Sequence, residues 1–300
     1  MASYDHFVRS LLTYKHQEWK ELSGSRCVRI LDVGCGKGRL IAAMQSSLQK
    51  LFPDLDFEIH GLEVTEHCGA REGYFDEVVE DLSQQYPGLP WREQFHLCSD
   101  GESWPFEDGY FDAIVFSQVI EHVRDHELFF AQHARVLSEN GVGVHQFPLR
   151  EKIKDGHLYL PYVHRIRDYA FLQSYIRFMS RLGFGKFRGE YKREKLERGF
   201  GLEDYVNYQS EYAWYQLNYL SRRETLALAK RHRMKGDFLL TNSWIESRLS
   251  RLRLCRTDPS TGFNLILLRK FHFLIPWKLR RGSGTLVLKK SRLKRYGVWC

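Results

Sequence analysis

A chain of 300 residues with 43% hydrophobic and 27% charged content can bury a sizeable core and is too apolar for disorder. Its longest apolar runs, such as Leu265–Leu268, are too short to cross a bilayer, and its six cysteines form no CxxC pair, which excludes a zinc ribbon and a disulfide scaffold. The net charge of +8 divides unevenly, −11 over residues 1–150 and +19 over residues 151–300, so the second half is expected to meet an anionic partner.

The spacing of Phe7, Leu11, Tyr14 and Leu22 predicts a helix over 3–22, ended at Gly24. Cys27–Val33 reads as a buried strand that runs into Gly34-Cys35-Gly36-Lys37-Gly38. A helix follows with Leu40, Ile41, Met44, Leu48 and Leu51 on one face, stopped at Pro53. Phe57–Val64 is the next strand, 70–86 an acidic helix, and Phe95–Cys98 a short strand before a turn-rich segment. Phe111–Phe116 is a buried strand, Glu127–Leu137 a helix, and Asn140-Gly141 a turn into the strand Val142–Phe147.

Strand and helix alternate throughout this half, the pattern of a doubly wound, mostly parallel α/β sheet. Residues 150–218 are rich in Tyr, Phe and Arg and show no clear strand, which predicts an inserted helical cap. Ser221–Arg233 is a helix opened by a capping box from Ser221 to Glu224. Lys235–Leu240 and Thr285–Leu288 complete an expected seven strands. The expected organisation is a capping helix over 1–24, a cofactor core over 25–148, the cap over 149–218, and a last helix and strands over 219–300 that carry a basic amphipathic stretch, 244–283.

The chemistry concentrates at the Gly-rich turn. Glycines tolerate positive φ and let a ligand approach the backbone, and the following helix N-terminus presents free N–H groups. This turn is neither G-x-G-x-x-G nor G-x-x-x-x-G-K-[ST], because Gly34 and Gly36 are followed by Gly38 and then Arg39. A dinucleotide or a nucleoside triphosphate is therefore a poor fit. Asp32 just before the turn suits a cationic amino group better than a phosphate. Glu63 at the end of the second strand can accept ribose hydroxyls, and Asp100 after the third can accept an adenine amine.

With these pieces in place, the chain resembles the class I S-adenosylmethionine-dependent methyltransferases, in the type 11, small-molecule branch that includes the ubiquinone and menaquinone methyltransferases. The resemblance is carried by ILDVGCGKG (30–38), HGLEV (60–64), SDGESWPFEDGYFDAIVFSQVIEHV (99–123) and RVLSENGVGVHQFP (135–148), and covers residues 25–150. It implies a Rossmann-like methyltransferase fold with S-adenosylmethionine as cofactor and S-adenosylhomocysteine as product. It also implies that Asp32, Gly34, Cys35, Gly36 and Gly38 line the methionine part, that Glu63 and Val64 flank the ribose, and that Asp100, Gly101 and Glu102 hold the adenine. Ser117, Gln118 and His122 would sit beside the methyl group. The segment 149–218 is longer than the family minimum, so the resemblance carries no substrate.

Methyl transfer to a hydroxyl profits from a base with a pKa near 7. Among His145, His157 and His164, the pair in GHLYLPYVHRI, His157 and His164, would overhang the site and is the expected catalytic pair. This patch also looks like one in methyltransferases of bacterial polysaccharide and glycolipid clusters. No third ligand is spaced with the pair, so no metal site is expected. Tyr4, His6, Tyr14 and His16 of the first helix could close over the cofactor.

After the fourth strand stands Ser117-Gln118-Val119-Ile120 rather than an amine-methylating Asn-Pro-Pro-Tyr, which favours oxygen or carbon acceptors. The expected acceptor is a small molecule, a glycan or a lipid-linked saccharide, anionic if the basic half meets it. The stretch 244–283 suits peripheral contact with an anionic membrane; RNA is the weaker partner, and a solvated surface the plainest reading. An RNA methyltransferase and a non-catalytic cofactor-binding scaffold are the alternatives. The N-terminus lacks an apolar signal core, so a reducing cytoplasm, with contact at the inner face of the membrane, is expected. Oligomeric state is left open.

Overall fold

The computed structural model describes residues 4–22, 26–65, 73–187, 199–241 and 282–291, and the basic stretch 244–283 lies almost wholly outside them. Helix α1 (Tyr4–Glu21) leads to strand β1 (Val28–Val33), helix α2 (Arg39–Leu51) and strand β2 (Phe57–Val64). Helix α3 (Tyr74–Gln85), the single turn α4 (Trp91–Gln94) and β3 (Phe95–Cys98) follow. Then come β4 (Phe111–Ser117), α5 (His126–Val136) and β5 (Leu137–Pro148). The cap supplies α6 (Tyr169–Arg181) and α7 (Leu202–Tyr215), and α8 (Arg222–Arg231), β6 (Met234–Asp237) and β7 (Ser283–Lys290) end the described chain.

The described strands form one seven-stranded sheet in the order β3-β2-β1-β4-β5-β7-β6. All pairs from β3 to β5 are parallel, and β7 runs antiparallel between β5 and β6. This is the doubly wound, mostly parallel sheet of a Rossmann-like methyltransferase fold. Strand side chains alternate between two faces. Val28, Ile30, Ala113, Val115, Val142 and Val144 pack with Phe7, Trp19, Ile41 and Leu48 on one side. Leu31, Val33, Ile114, Phe116 and Phe147 pack with Phe129, Phe130 and Leu228 on the other. Burial on both faces explains the apolar run Ala113–Phe116 of β4 and the mainly apolar β1.

One boundary differs from the sequence expectation. Asn140-Gly141 does not separate helix from strand: β5 begins at Leu137, directly after α5, and the irregularity lies inside the strand. Phe111 pairs with Leu137 and Ala113 with Val142, so β5 carries three more residues than β4 between these pairs and bulges from the ladder. Gly141 is needed there because a Cβ would stand 2.6 Å from Leu137 Cδ1.

The cap has its own small core, with Leu158, Leu160 and Val163 against Leu172, Ile176, Tyr205 and Val206. Two polar clusters help tie it to the sheet. Arg150, just beyond β5, donates to the carbonyl of Tyr219 through Nε and Nη2 and to Glu224 Oε1 through Nη1 at 2.6 Å. Asp155 accepts from the hydroxyl of Tyr219 at 2.5 Å and from the amides of His157 and Leu158. Ser221 and Glu224 form the expected capping box at the start of α8.

Glu224 therefore serves both as a cap and as an anchor. Burial raises its carboxyl, but hydrogen bonds from Ser221 and Arg150 outweigh this and hold it down at about 2. A depressed native pKa stabilises the fold above the unfolded value near 4.5, and the benefit is lost as pH falls through about 2. Glu224→Gln is expected to lower Tm at pH 7, and its deficit against the parent should narrow steadily between pH 5 and pH 2, as followed by circular dichroism.

Candidate functional site

The strand order reverses between β1 and β4, and ligands of open α/β sheets bind at such a switch point, outside the carboxyl ends of the strands. Here the chain leaves β1 through Gly34, Gly36 and Gly38, all at positive φ (66°, 51° and 65°). A Cβ on Gly34 would lie 2.5 Å from Val119 Cγ2, and one on Gly38 would lie 2.7 Å from Leu82 Cδ1, so these two glycines let the turn pack. Gly36 differs: a Cβ there would meet nothing within 4 Å. Its bare backbone faces a cleft, and its N–H donates to Glu63 Oε2 at 2.7 Å. The other oxygen of Glu63 accepts from Val64 N at 3.1 Å.

Two clefts meet at Gly34. The first, of about 340 Å³, is bordered by Gly34, Gly36, Glu63 and Val64 on one side and by Asp100, Gly101 and Glu102 at one end. Gln118 and His122 line its far side, joined by Tyr212 and Gln216 from the cap. The second cleft takes Asp32, Gly34, Cys35 and Ser117, with Tyr4 of α1 at its edge. Gly38 lines neither and serves as the N-cap of α2. Of the other α1 residues considered, His6 bonds Thr285 Oγ1 at 2.9 Å, His16 packs on Phe52, and Tyr14 lies under Lys289.

The electrostatics suit a ligand with a cationic end. Asp32 is 2% exposed, and burial, followed by the charge of Glu63, pushes its carboxyl well above the usual range. Lys37 and Arg39 line the same cleft, yet no hydrogen bond or positive charge draws the Asp32 carboxyl back down. A positively charged amino group in the second cleft would supply the missing partner. At the other end Asp100 lies 3.6 Å from Arg124 Nε, and Glu102 accepts from Ser99 N at 3.2 Å, which shapes the turn around Gly101. Gln118 holds a left-handed backbone (φ 60°), secured by its N–H to Gln146 O at 2.8 Å. A non-glycine residue at such φ is strained and persists because the surrounding contacts hold it.

The histidines separate. His145 is a core residue, stacked at 3.9 Å on Phe116 and 2.8 Å from His133, and burial holds it well below the usual imidazole range. His164 reaches neither cleft; its Nε2 bonds the carbonyl of Arg150 at 3.0 Å. His157 stands directly behind the cleft wall, its ring centre 4.8 Å from that of His122 and its Nδ1 3.1 Å from Tyr212 Oη. Burial draws it down to about 4, against a smaller opposing pull from Asp155, so it is neutral at neutral pH. Beside them lies Glu121, fully buried, and neither of its oxygens reaches a donor in good geometry. Burial raises its carboxyl to about 8.

Glu121, Tyr212 and Gln216 were not among the residues expected from sequence. Glu121 adjoins His122 in the motif SQVIEHV and was legible as an acid next to a site histidine. Tyr212 and Gln216 carry no local signal, because they reach the cleft only through the docking of the cap.

Comparison with known proteins accords with this geometry. Residues 31–144, less than half of the chain, match the family model described as a methyltransferase domain. The mitochondrial ubiquinone biosynthesis O-methyltransferase of Rattus norvegicus is 31% identical over 138 residues, covering 45% of this chain and 35% of that protein. Its Bos taurus counterpart is 31% identical over 137 residues, covering 46% and 32%. The chain thus spans about a third of the length of the curated relatives it matches. Among solved structures, the YcgJ protein of Bacillus subtilis is 14% identical with a TM-score of 0.45, covering 94% of this chain and 99% of that one. A geranyl diphosphate C-methyltransferase from Streptomyces coelicolor A3(2) is 14% identical with a TM-score of 0.42, covering 93% and 77%. The Gly-rich turn, Glu63 and the strands that carry them fall inside the matched segment, and this part of the chain is a class I, S-adenosylmethionine-dependent methyltransferase domain.

Proposed function

We propose that this protein transfers a methyl group from S-adenosylmethionine to a hydroxyl oxygen of a small molecule or glycan. The observation that carries the reading is the junction of two clefts over Gly34, with the Glu63 carboxylate in one and the uncompensated Asp32 carboxyl in the other. A nucleoside joined to a cationic amino acid has the shape and the charge to fill both. Glu63 keeps acceptor capacity for ribose hydroxyls beyond its two backbone N–H bonds. Asp32 would hold the amino group, and Gly36 leaves room for the ligand against bare backbone. Bound there, the cofactor supplies an electrophilic methyl on a sulfonium.

The chain's own contribution is alignment of the acceptor with that methyl group, the main source of rate in an in-line displacement. The wall formed by Gln118, His122 and Tyr212 is the acceptor side, and His157 adjoins it. The named activity of the curated relatives, O-methyltransferase, supports an oxygen acceptor. Of the two histidines expected to act, His157 fits the wall, whereas the ring nitrogen His164 would need is committed to Arg150.

Calorimetry with S-adenosylmethionine is expected to show one site, weakened at least tenfold by Asp32→Ala and by Glu63→Gln; absence of binding to the parent protein would overturn the reading. Gly36→Ala separates room from stability. It should cost about 1 kcal/mol for a side chain at positive φ, yet reduce cofactor affinity at least tenfold because the methyl group enters the cleft. With methyl-labelled cofactor and separate small-molecule, glycolipid and RNA fractions as acceptors, label should enter the first two. His157→Ala should abolish transfer while cofactor binding persists, and His164→Ala should retain it. Label found in RNA alone would refute the acceptor class.

A further inference from the structure

We propose that Lys154 and Lys186, gathered at Tyr159 on the tip of a cap hairpin, bind a phosphoryl group carried by the methyl acceptor. The hairpin spans residues 153–162. The amide of Tyr162 donates to Ile153 O at 2.7 Å, that of Asp155 donates to Leu160 O at 2.9 Å, and Lys154 bridges Pro161. Tyr159 and Tyr162 both hold left-handed backbone, at φ 60° and 53°, in the arm that closes the loop. Non-glycine residues keep that conformation where surrounding contacts impose it.

The two lysines arrive from different elements. Lys154 stands on the first arm of the hairpin, whereas Lys186 is delivered by the turn after α6, where Gly183 and Gly185 take φ of 91° and 77°. A Cβ on Gly185 would lie 3.1 Å from Leu160 Cδ2 and 3.3 Å from the carbonyl of Leu158, so the bare turn packs directly on the hairpin. The amide of Lys186 then donates to Tyr205 Oη at 3.3 Å, which fixes the turn to α7. Both ammonium groups end at one ring, 5.0 Å and 4.8 Å from the centre of Tyr159. They are thus no more than about 10 Å apart, and on their rotatable stems both can close on one anion at the edge of the ring.

Cation–π contact places these charges without neutralising them. Among the described residues no carboxylate oxygen lies within 4.0 Å of either ammonium. The acid of the hairpin itself, Asp155, is nearly fully buried and already bonded to Tyr219 and to the amides of His157 and Leu158. Lys152 borders the same tip, its Nζ 3.2 Å from where a Cβ on Gly156 would stand. A carboxylate would answer the pair with a single charge, whereas a phosphoryl group brings nearly two at neutral pH. Lysine binds phosphate as a point charge, without the fixed fork that arginine requires. The place of the hairpin gives the anion a use. Lys152 and Lys186 are both close enough for their charges to oppose protonation of His157, and His157 adjoins His122 and Tyr212 of the cleft wall. An acceptor held by its phosphoryl group at the hairpin can extend a hydroxyl toward that wall. That the anion is the acceptor's own rests on the methyltransferase reading; the anion site does not.

The test uses the full chain and inorganic phosphate as the probe, followed by phosphorus NMR at constant ionic strength, with acetate as the singly charged comparison. Phosphate should bind at one site with millimolar affinity, more tightly than acetate, and added salt should weaken it because exposed charges are screened. Lys154→Gln with Lys186→Gln keeps both stems and should weaken phosphate at least tenfold at an unchanged Tm. Lys50→Gln, at the exposed end of α2, should leave it unaltered. In transfer assays with methyl-labelled cofactor, the double variant should raise KM for the accepting fraction at least tenfold with kcat nearly unchanged. Phosphatase treatment of that fraction should cause the same loss with the parent protein. No phosphate binding by the parent, equal affinity for acetate, or binding that the double variant leaves intact overturns the site. Binding to phosphatidylglycerol vesicles with none to free phosphate gives the lysines to a lipid surface and overturns it as well. Labelling that survives the phosphatase overturns the assignment to the acceptor. Calorimetry of the same sample with S-adenosylmethionine tells the two readings apart. Cofactor binding without phosphate binding defeats the phosphoryl site alone, whereas absent cofactor binding defeats the underlying reading.

Discussion

The hydrogen bond from the Gly36 amide to Glu63 joins the ends of the neighbouring strands β1 and β2 beside the switch point of the sheet, and the geometry of the Gly-rich turn depends on it. The N–H groups of Gly34 and Cys35 also bond the carbonyl of Leu62, at 2.7 and 3.2 Å, so three amides of the turn are drawn to the end of β2. Only a turn with several residues at positive φ can present successive amides to one strand end, which is why glycine recurs at 34, 36 and 38. The same folding-back leaves Asp32 and Glu63 close enough for their charges to interact. Such an arrangement is costly without a ligand and favourable with a cationic one.

The far side of the cleft depends on a different constraint, the docking of the cap. Arg150 and Asp155 are two of its polar fasteners, one immediately after β5 and the other in the loop that carries His157. Asp155 is nearly fully buried, and three donors satisfy it, so it can fix that loop without an exposed charge. Through this attachment the cap brings Tyr212 and Gln216 to the cleft and His157 to Glu121 and His122. The two sides of the cleft thus rest on separate sets of contacts, one local to the sheet and one between sheet and insertion.

Legibility from sequence follows this division. The strand β4 was readable from the buried apolar run Ala113–Phe116, β1 and β2 from apolar residues bounded by turns, and the capping box at Ser221 because its residues are three apart. The Asn140-Gly141 signal misled because a turn dipeptide can mark a bulge within a strand as well as a break before one. His145 was a reasonable candidate base in sequence, yet its place in β5 directs it into the core beside Phe116 and His133. The histidine pair at 157 and 164 was drawn from spacing in one segment, and spacing does not reveal that one ring turns to Arg150 and the other to His122.

By itself, then, the sequence determined the doubly wound sheet, the glycine turn, and the acids at positions 32, 63 and 100, because each is encoded within a strand and the turn that ends it. Only the tertiary structure decided that Asp32 and Glu63 occupy adjoining clefts, and that Glu121 and His122 meet His157. The reason is physical: local periodicity records which face of an element is buried, whereas a contact between the end of β4 and the cap depends on how two separately packed units are fastened together.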